Sequence, residues 1–204
     1  MGRLVRATVQ ALTRVGPIPK YYGAEEVKKI LEAVKDSREL HLVIHLLWKT
    51  GVRASEALEI RFGDVDPYLK TLKVVTLKKS RRKMRGRKPT REHERVIPLP
   101  DDLLAEILAW ANERQLSRQD HLLPFRHRNT LLAKVKKACC SAGLCDERAH
   151  PHTFRHSYAV HLLRNGVPIT VVQTLLGHSS IENTAIYLAI IQAEAAEMVR
   201  RVEW

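Results

Sequence analysis

The sequence predicts an α+β fold that is mainly α-helical, with one small antiparallel β-sheet or hairpin. Three observations predict it. Apolar residues recur at three- and four-residue spacing along most of the chain. One short stretch after residue 71 switches to a Val- and Thr-rich texture and has a natural partner near residue 95. Gly, Asn-Gly and Pro punctuate the segments between them. No internal repeat is visible.

Residues 1–20 carry little pattern and end in Gly16-Pro17-Ile18-Pro19, as an arm or linker would. A helix begins at Ala24, with Val27, Ile30, Leu31 and Val34 on one face. The segment 38–50 is apolar almost all round, through Leu40, Leu42, Val43, Ile44, Leu46, Leu47 and Trp48, and such a helix is buried. Gly51 ends it. Leu72–Leu77 and Arg95–Leu99 read as paired strands, the second ending at two prolines. Between them runs Lys78–Glu94, with ten basic residues when Arg95 is included. It is either a solvated charge run or a finger that touches phosphates. Residues 101–114 form a helix opened by Asp101 and Asp102, where the helix dipole favours acids. Helices follow at 129–141, stopped by Gly143, and at Thr153–Arg164, stopped by Asn165-Gly166. Pro168 opens another that runs to Leu176-Gly177. A last helix runs from Ile181 through Tyr187, and Leu188, Ile191, Ala195 and Met198 continue its apolar stripe.

The charge balance narrows the function. Thirty-five Lys and Arg face 22 Asp and Glu, a net charge of +13. A globular chain this basic is suited to a polyanion, with nucleic acid foremost and anionic lipid as the alternative. Aromatic residues make up only 5%, too few for a base-stacking binder of single strands. No stretch approaches the roughly 18–20 apolar residues of a membrane span. The N-terminal residues lack the apolar run of a secretory signal. Cys139, Cys140 and Cys145 are odd in number and match neither a disulfide framework nor a zinc pattern. They are expected to be small helix residues in a reducing cytoplasm.

Five segments carry chemistry: Thr50-Gly51-Val52-Arg53-Ala54-Ser55-Glu56, the strand end at Lys78, His152-Thr153-Phe154-Arg155, Leu176-Gly177-His178, and Tyr187, nine residues further on. His152 and Arg155 share a face near a helix start, where free N–H groups favour an anion. Arginine grips phosphate through two parallel hydrogen bonds and stays charged. A tyrosine has a free pKa near 10, so attack on phosphorus requires cationic neighbours or a base. Each residue alone also fits an ordinary structural role. Spacing by itself leaves a basic DNA-binding protein with a candidate phosphate site.

The segments resemble the signature boxes of the tyrosine recombinase (phage integrase) family. Thr-Gly-x-Arg-x-Ser-Glu at 50–56 resembles its first arginine box. His150-Pro-His-Thr-Phe-Arg-His-Ser-Tyr-Ala159 resembles the second, and Leu-Leu-Gly-His-Ser-Ser at 175–180 and Tyr187 follow in the family's order. The resemblance spans Ala24 to Tyr187. It implies the family's catalytic-domain fold over residues 21–187, and a site-specific recombinase that cuts and rejoins DNA through a 3′-phosphotyrosyl bond, with no metal or cofactor. Arg53 and Arg155 would hold the scissile phosphate and stabilise its transition state. His178 would donate a hydrogen bond to it, and Tyr187 would attack. His152 would move protons near the nucleophile, with Glu56 orienting His152 or an arginine. Lys78 would protonate the leaving 5′-oxygen. Seven further cations of the run, Lys79, Arg81, Arg82, Lys83, Arg85, Arg87 and Lys88, would contact DNA; Lys79, Lys83 and Lys88 compete with Lys78 for the lysine role.

The implied partners are double-stranded DNA, further copies of the chain as a dimer to tetramer in the synapse, and accessory DNA-bending proteins. Residues 188–204 would be a helical tail that packs on its own core or docks on a neighbouring protomer. Two features depart from the family pattern. The basic hairpin exceeds the usual compact turn. Residues 1–20 are too short for the separate helical core-binding domain that members usually carry, as expected of a shortened member or one similar to fimbrial-switch invertases. The competing readings are a type IB topoisomerase, which uses a similar residue set, and a non-catalytic DNA-binding protein on the same scaffold. The DNA site, and the choice among integration, excision, inversion and resolution, are not written in the sequence.

Overall fold

The structure is a computed structural model that describes residues 19–76, 93–178, 184–188 and 191–192. Helix α1 (Ala24–Ala33) and α2 (Arg38–Thr50) lead into a one-turn helix, α3 (Ala54–Ala57). A three-residue 3-10 turn (Phe62–Asp64) precedes β1 (Val65–Asp66), β2 (Thr71–Thr76) and β3 (His93–Pro98). Four further helices follow: α4 (Asp101–Glu113), α5 (Arg128–Ser141), α6 (Pro151–Arg164) and α7 (Ile169–Leu176). A helical turn at 184–188 carries Tyr187. No helix among the described residues is long and apolar enough to cross a membrane.

The sheet has the order β1-β2-β3 and is antiparallel throughout, with Leu72 opposite Ile97 and Val74 opposite Arg95. Strand alternation buries Leu72, Val74 and Ile97, while Val96 faces outward at 58% exposure. Helix α2 is sunk in the core along nearly its whole length, as its all-round apolar composition requires; even His45 on it is buried. Its packing surfaces come from α4, α5 and α6. A second, smaller cluster joins Tyr158, Ala159 and Val160 of α6 to Val172 and Leu176 of α7 and to Tyr187. Helix α6 spans both clusters, since Phe154 belongs to the larger one.

Local chemistry sets the helix ends. Gly51 closes α2 in the left-handed conformation, φ +60°. Pro151 occupies the first turn of α6, where its missing N–H costs nothing, so this helix starts before the expected Thr153. Pro168 caps α7 from outside the helix rather than opening it from within. Strand bounds shift by one or two residues from expectation. The short α3 and β1 carry no periodic signal long enough to read.

One expectation falls. Cys140 and Cys145 form a disulfide, because the Gly143 turn (φ +71°) folds the chain back past the end of α5 and brings their Cα atoms to 4.2 Å. Cys139 alone is a free, buried helix residue, and the cysteines carry no argument for a reducing setting. Arg95 lies in β3, as the strand reading has it, and is 9% exposed. The basic run from Lys78 to Glu92 lies outside the described residues, as do 1–18 and most of the tail.

Gly51 has a second constraint. A Cβ there would lie 2.4 Å from Cδ1 of Tyr158 and 3.1 Å from Cδ2 of Leu176. Gly51→Ala therefore meets both a left-handed backbone and a packed ring. It is expected to destabilise the fold by roughly 2–4 kcal/mol in urea unfolding. A loss below about 0.5 kcal/mol would contradict this packing.

Candidate active site

Three arginines meet at the C-terminus of α7. The last carbonyls of a helix have no amide partner within it and carry partial negative charge. Here each of three consecutive carbonyls accepts from a different guanidinium. Arg95 Nε donates to Leu175 O at 2.8 Å, Arg155 Nη2 to Leu176 O at 2.6 Å, and Arg53 Nη2 to Gly177 O at 3.3 Å. Gly177 turns the chain at φ +63°, and a Cβ on it would sit 3.1 Å from Arg95 Nη1.

Each arginine is delivered by a different element. Arg53 is the N-cap of α3, directly after the buried Val52 that ends the α2 turn. Arg155 lies on the inner face of α6, 4% exposed, and also donates from Nη1 to Gly51 O at 2.7 Å. It thus ties the ends of α2 and α7 together. Its burial and the nearby charge of Arg53 lower its pKa to about 10, which leaves it charged at neutral pH. Arg95 comes from β3.

Glu56 supplies the counter-charge. Its carboxylate is 4% exposed and accepts from Arg95 Nη1 (3.0 Å) and Nη2 (2.7 Å), from Arg53 Nη1 (2.8 Å) and the Arg53 N–H (2.7 Å), and from the Thr76 hydroxyl (2.6 Å). Burial on its own would raise the carboxyl pKa. The bonds to Arg95, Thr76 and the Arg53 amide outweigh it and bring the value from 4.5 down to about 2. Of the partners expected for Glu56, the structure gives arginines and not His152.

Tyr187 is 2% exposed, and its hydroxyl lies 2.8 Å from Nδ1 of His156. Burial raises the phenol pKa, against the opposing charges of Arg155 and Arg53. Burial also lowers His156 to about 4, with help from His152 and Arg155. At neutral pH the phenol keeps its proton and the imidazole is neutral, so Tyr187 O–H donates and His156 Nδ1 accepts. His178 follows the Gly177 turn. Its Nδ1 lies 2.8 Å from the buried Thr184 hydroxyl, and burial together with Arg155, Arg53 and Arg95 brings its pKa to about 4. His152 stands at the exposed start of α6, stacked on His150 at 5.4 Å between ring centres. The protein around it, and the charges of His150, Arg155, Arg128 and Arg53, hold its pKa below the ordinary value.

The structure thus brings Arg53, Glu56, Arg155, His178 and Tyr187 into one neighbourhood, with His152 at its edge. Lys78, Lys79, Arg81, Arg82, Lys83, Arg85, Arg87 and Lys88 lie outside the described residues. Sequence reasoning gave no site role to Arg95, His156, Thr76, Thr184 or Arg128. His156 was visible next to Arg155 within the second box; Arg95 was placed in its strand, but nothing local links it to Glu56. With Arg95 paired to Glu56, the guanidinium groups of Arg53 and Arg155, the neutral imidazoles of His156 and His178 and the Tyr187 phenol form a set suited to a tetrahedral oxyanion such as a phosphodiester.

Residues 20–194 match the model of the phage integrase family. A tyrosine recombinase of Pseudothermotoga lettingae is 29% identical over 188 residues, 91% of this chain and 61% of that protein. The chain thus spans less than two thirds of that relative's length. In three dimensions the fold is similar to the crystal structure of XerA recombinase, at a TM-score of 0.72 and 22% identity, covering 93% of this chain and 68% of the other. It is similar also to XerH site-specific recombinase bound to palindromic difH substrate in a post-cleavage complex. There the TM-score is 0.71 at 22% identity, covering 91% of this chain and 54% of the other.

The Glu56 carboxylate has a measurable pH signature. Its folded-state pKa lies below the unfolded value of 4.5, so its stabilisation is full above that pH and is lost as pH falls toward about 2. Glu56→Gln is expected to unfold roughly 3 kcal/mol more easily at neutral pH. The gap between wild type and variant in urea titrations narrows from pH 4.5 down to about 2. A gap that does not change with pH would contradict the pairing.

Proposed function

Because the chain belongs to the phage integrase family, we propose that it is a site-specific recombinase that cleaves and rejoins duplex DNA through Tyr187. The observation that carries this is the shared neighbourhood of Arg53, Arg155, His178 and Tyr187 at the carbonyl end of α7. Residues 21–187 are the catalytic unit, and 188–204 a tail that meets either its own core or a neighbouring copy.

Arg53 and Arg155 hold the non-bridging oxygens of the scissile phosphate. Two of the five N–H donors of Arg155 go to Gly51 O and Leu176 O, which fixes the plane of its guanidinium. With Thr184 donating to its Nδ1, neutral His178 keeps its N–H on Nε2 for a third phosphate bond. The Tyr187 oxygen attacks phosphorus, the Tyr–O–P bond forms and the P–O5′ bond breaks. The phenol proton leaves toward the neutral His156, with His152 as the family-implied second route. The leaving 5′-oxygen takes its proton from Lys78. Attack by a 5′-hydroxyl reverses the steps and rejoins the strand. In the conformation described, Tyr187 is buried, so cleavage requires the turn at 184–188 to swing the phenol toward DNA.

The basic surface, net +13, supplies affinity that falls steeply with salt. The active assembly is a dimer to tetramer on DNA, aided by DNA-bending proteins, in the cytoplasm. The test is a DNA duplex nicked beside the cleavage point, which traps the covalent intermediate. Wild type is expected to yield a denaturation-resistant protein–DNA adduct, and Tyr187→Phe none. An equal adduct from Tyr187→Phe would place the nucleophile elsewhere and overturn the reading.

A further inference from the structure

Away from the arginine cluster, α2 and α4 present a second set of chemically active side chains to each other. His41 and His45 are four residues apart on α2, so both point to one side of the helix. Glu106 on α4 lies between them. Its Oε1 is 2.7 Å from His41 Nδ1 and its Oε2 is 2.5 Å from His45 Nδ1. One donor atom from each of the three residues falls within 4.8 Å of the others, and among the described residues this is the one such group. From these observations we propose that His41, His45 and Glu106 bind a divalent transition-metal ion of the zinc class.

The donor set is the first argument. Two imidazole nitrogens and one carboxylate oxygen suit zinc, whose open sites hold three protein ligands and a water. The second argument is rigidity. His45 is 7% exposed, and its helix is packed into the core on several sides, so the ligands are held without a mobile loop. The third is the outer shell. His45 presents Nδ1 to the shared site, and its Nε2 lies 3.4 Å from Asp102 Oδ2, one turn before Glu106 on α4. A metal-bound imidazole carries its proton on the other nitrogen and commonly gives it to a carboxylate. Asp102 is in turn fixed by Lys49 Nζ at 2.9 Å.

Binding is a simple exchange of partners. In the free protein each Nδ1–H donates to a Glu106 oxygen. On binding, that proton passes to water and each neutral ring takes one up on Nε2, so that both Nδ1 lone pairs and one Glu106 oxygen turn to the ion. The remaining coordination position opens into a cavity of about 380 Å³ that Lys35 and Arg38 also line. Those two cations are engaged by Glu32 and Glu113. An ion here cross-links α2, the helix that leads into Arg53, to α4, the helix that follows the sheet.

The experiment is a zinc titration of chelator-stripped protein in competition with a chromophoric chelator. A second titration uses cobalt(II), whose visible absorption reports its ligands. Wild type is expected to take one zinc at this site. His41→Ala and Glu106→Gln should each weaken it by at least about tenfold, and Asp102→Asn by about tenfold. The control is His150→Ala, since the His150–His152 pair is another imidazole cluster; zinc affinity at the α2–α4 site should be unchanged by it. His41 is partly exposed, so its truncation is expected to fold, and the cobalt absorption should vanish in that variant. No zinc uptake by wild type, or uptake that survives His41→Ala and fails in His150→Ala, would overturn the proposal.

Discussion

The fold has to hold three guanidinium groups close together, and it does so with one buried carboxylate and one helix end. Left alone, Arg53, Arg95 and Arg155 would repel strongly in a site with little water. Burial first, and then the charge of Arg53, lowers the pKa of Arg155 to about 10. Glu56 takes bonds from two of the three, and the carbonyls of Leu175, Leu176 and Gly177 take one from each. Much else follows from this arrangement. Gly177 has no side chain because Arg95 lies against it, and Gly51 has none because Tyr158 does. Helix α7 must end where it does for its carbonyls to meet the arginines. The sheet is tied to the helices through Arg95 and Thr76.

This gives Arg95 and Glu56 a different part from the residues that would touch DNA. They are positioning residues: they fix where Arg53 and Arg155 can be and leave those two with positive charge in excess. Burial first, and then the neighbouring positive charge, lowers the pKa values of His178 and His156, which stay neutral near pH 7. A neutral His156 is what allows it to accept from the Tyr187 hydroxyl. In this conformation the phenol is protonated and shielded. Zinc bound between α2 and α4 would act from the opposite end of α2, by stiffening the helix that leads into Arg53.

Much of the helical frame was legible in the sequence, because amphipathic spacing and glycine stops are local signals. The burial of α2 followed from its all-round apolar composition, and Gly51 from its place after the last apolar turn. The boxes around Arg53, Arg155, His178 and Tyr187 were legible as a family pattern. What stayed hidden was long-range. Nothing near Arg95 in sequence marks it as the partner of Glu56, which lies on another element; a strand position alone does not say what its side chain meets. The Cys140–Cys145 pairing depends on the turn at Gly143, a contact that a cysteine count does not contain. The His41, His45 and Glu106 group needed two helices brought face to face before it existed as a group.

If the arginine pair meets the charge of a phosphodiester, DNA with a methylphosphonate at the scissile position should relieve the need for it. That substitution removes one negative non-bridging oxygen and leaves the rest of the backbone alone. The measurement is the rate of strand cleavage by wild type and Arg53→Ala on both substrates. On normal DNA the variant is expected to be slower by about 10²–10³-fold. On the methylphosphonate most of that deficit should vanish, since the charge that Arg53 offsets is gone. An equal deficit on both substrates would contradict the account and assign Arg53 a structural role only.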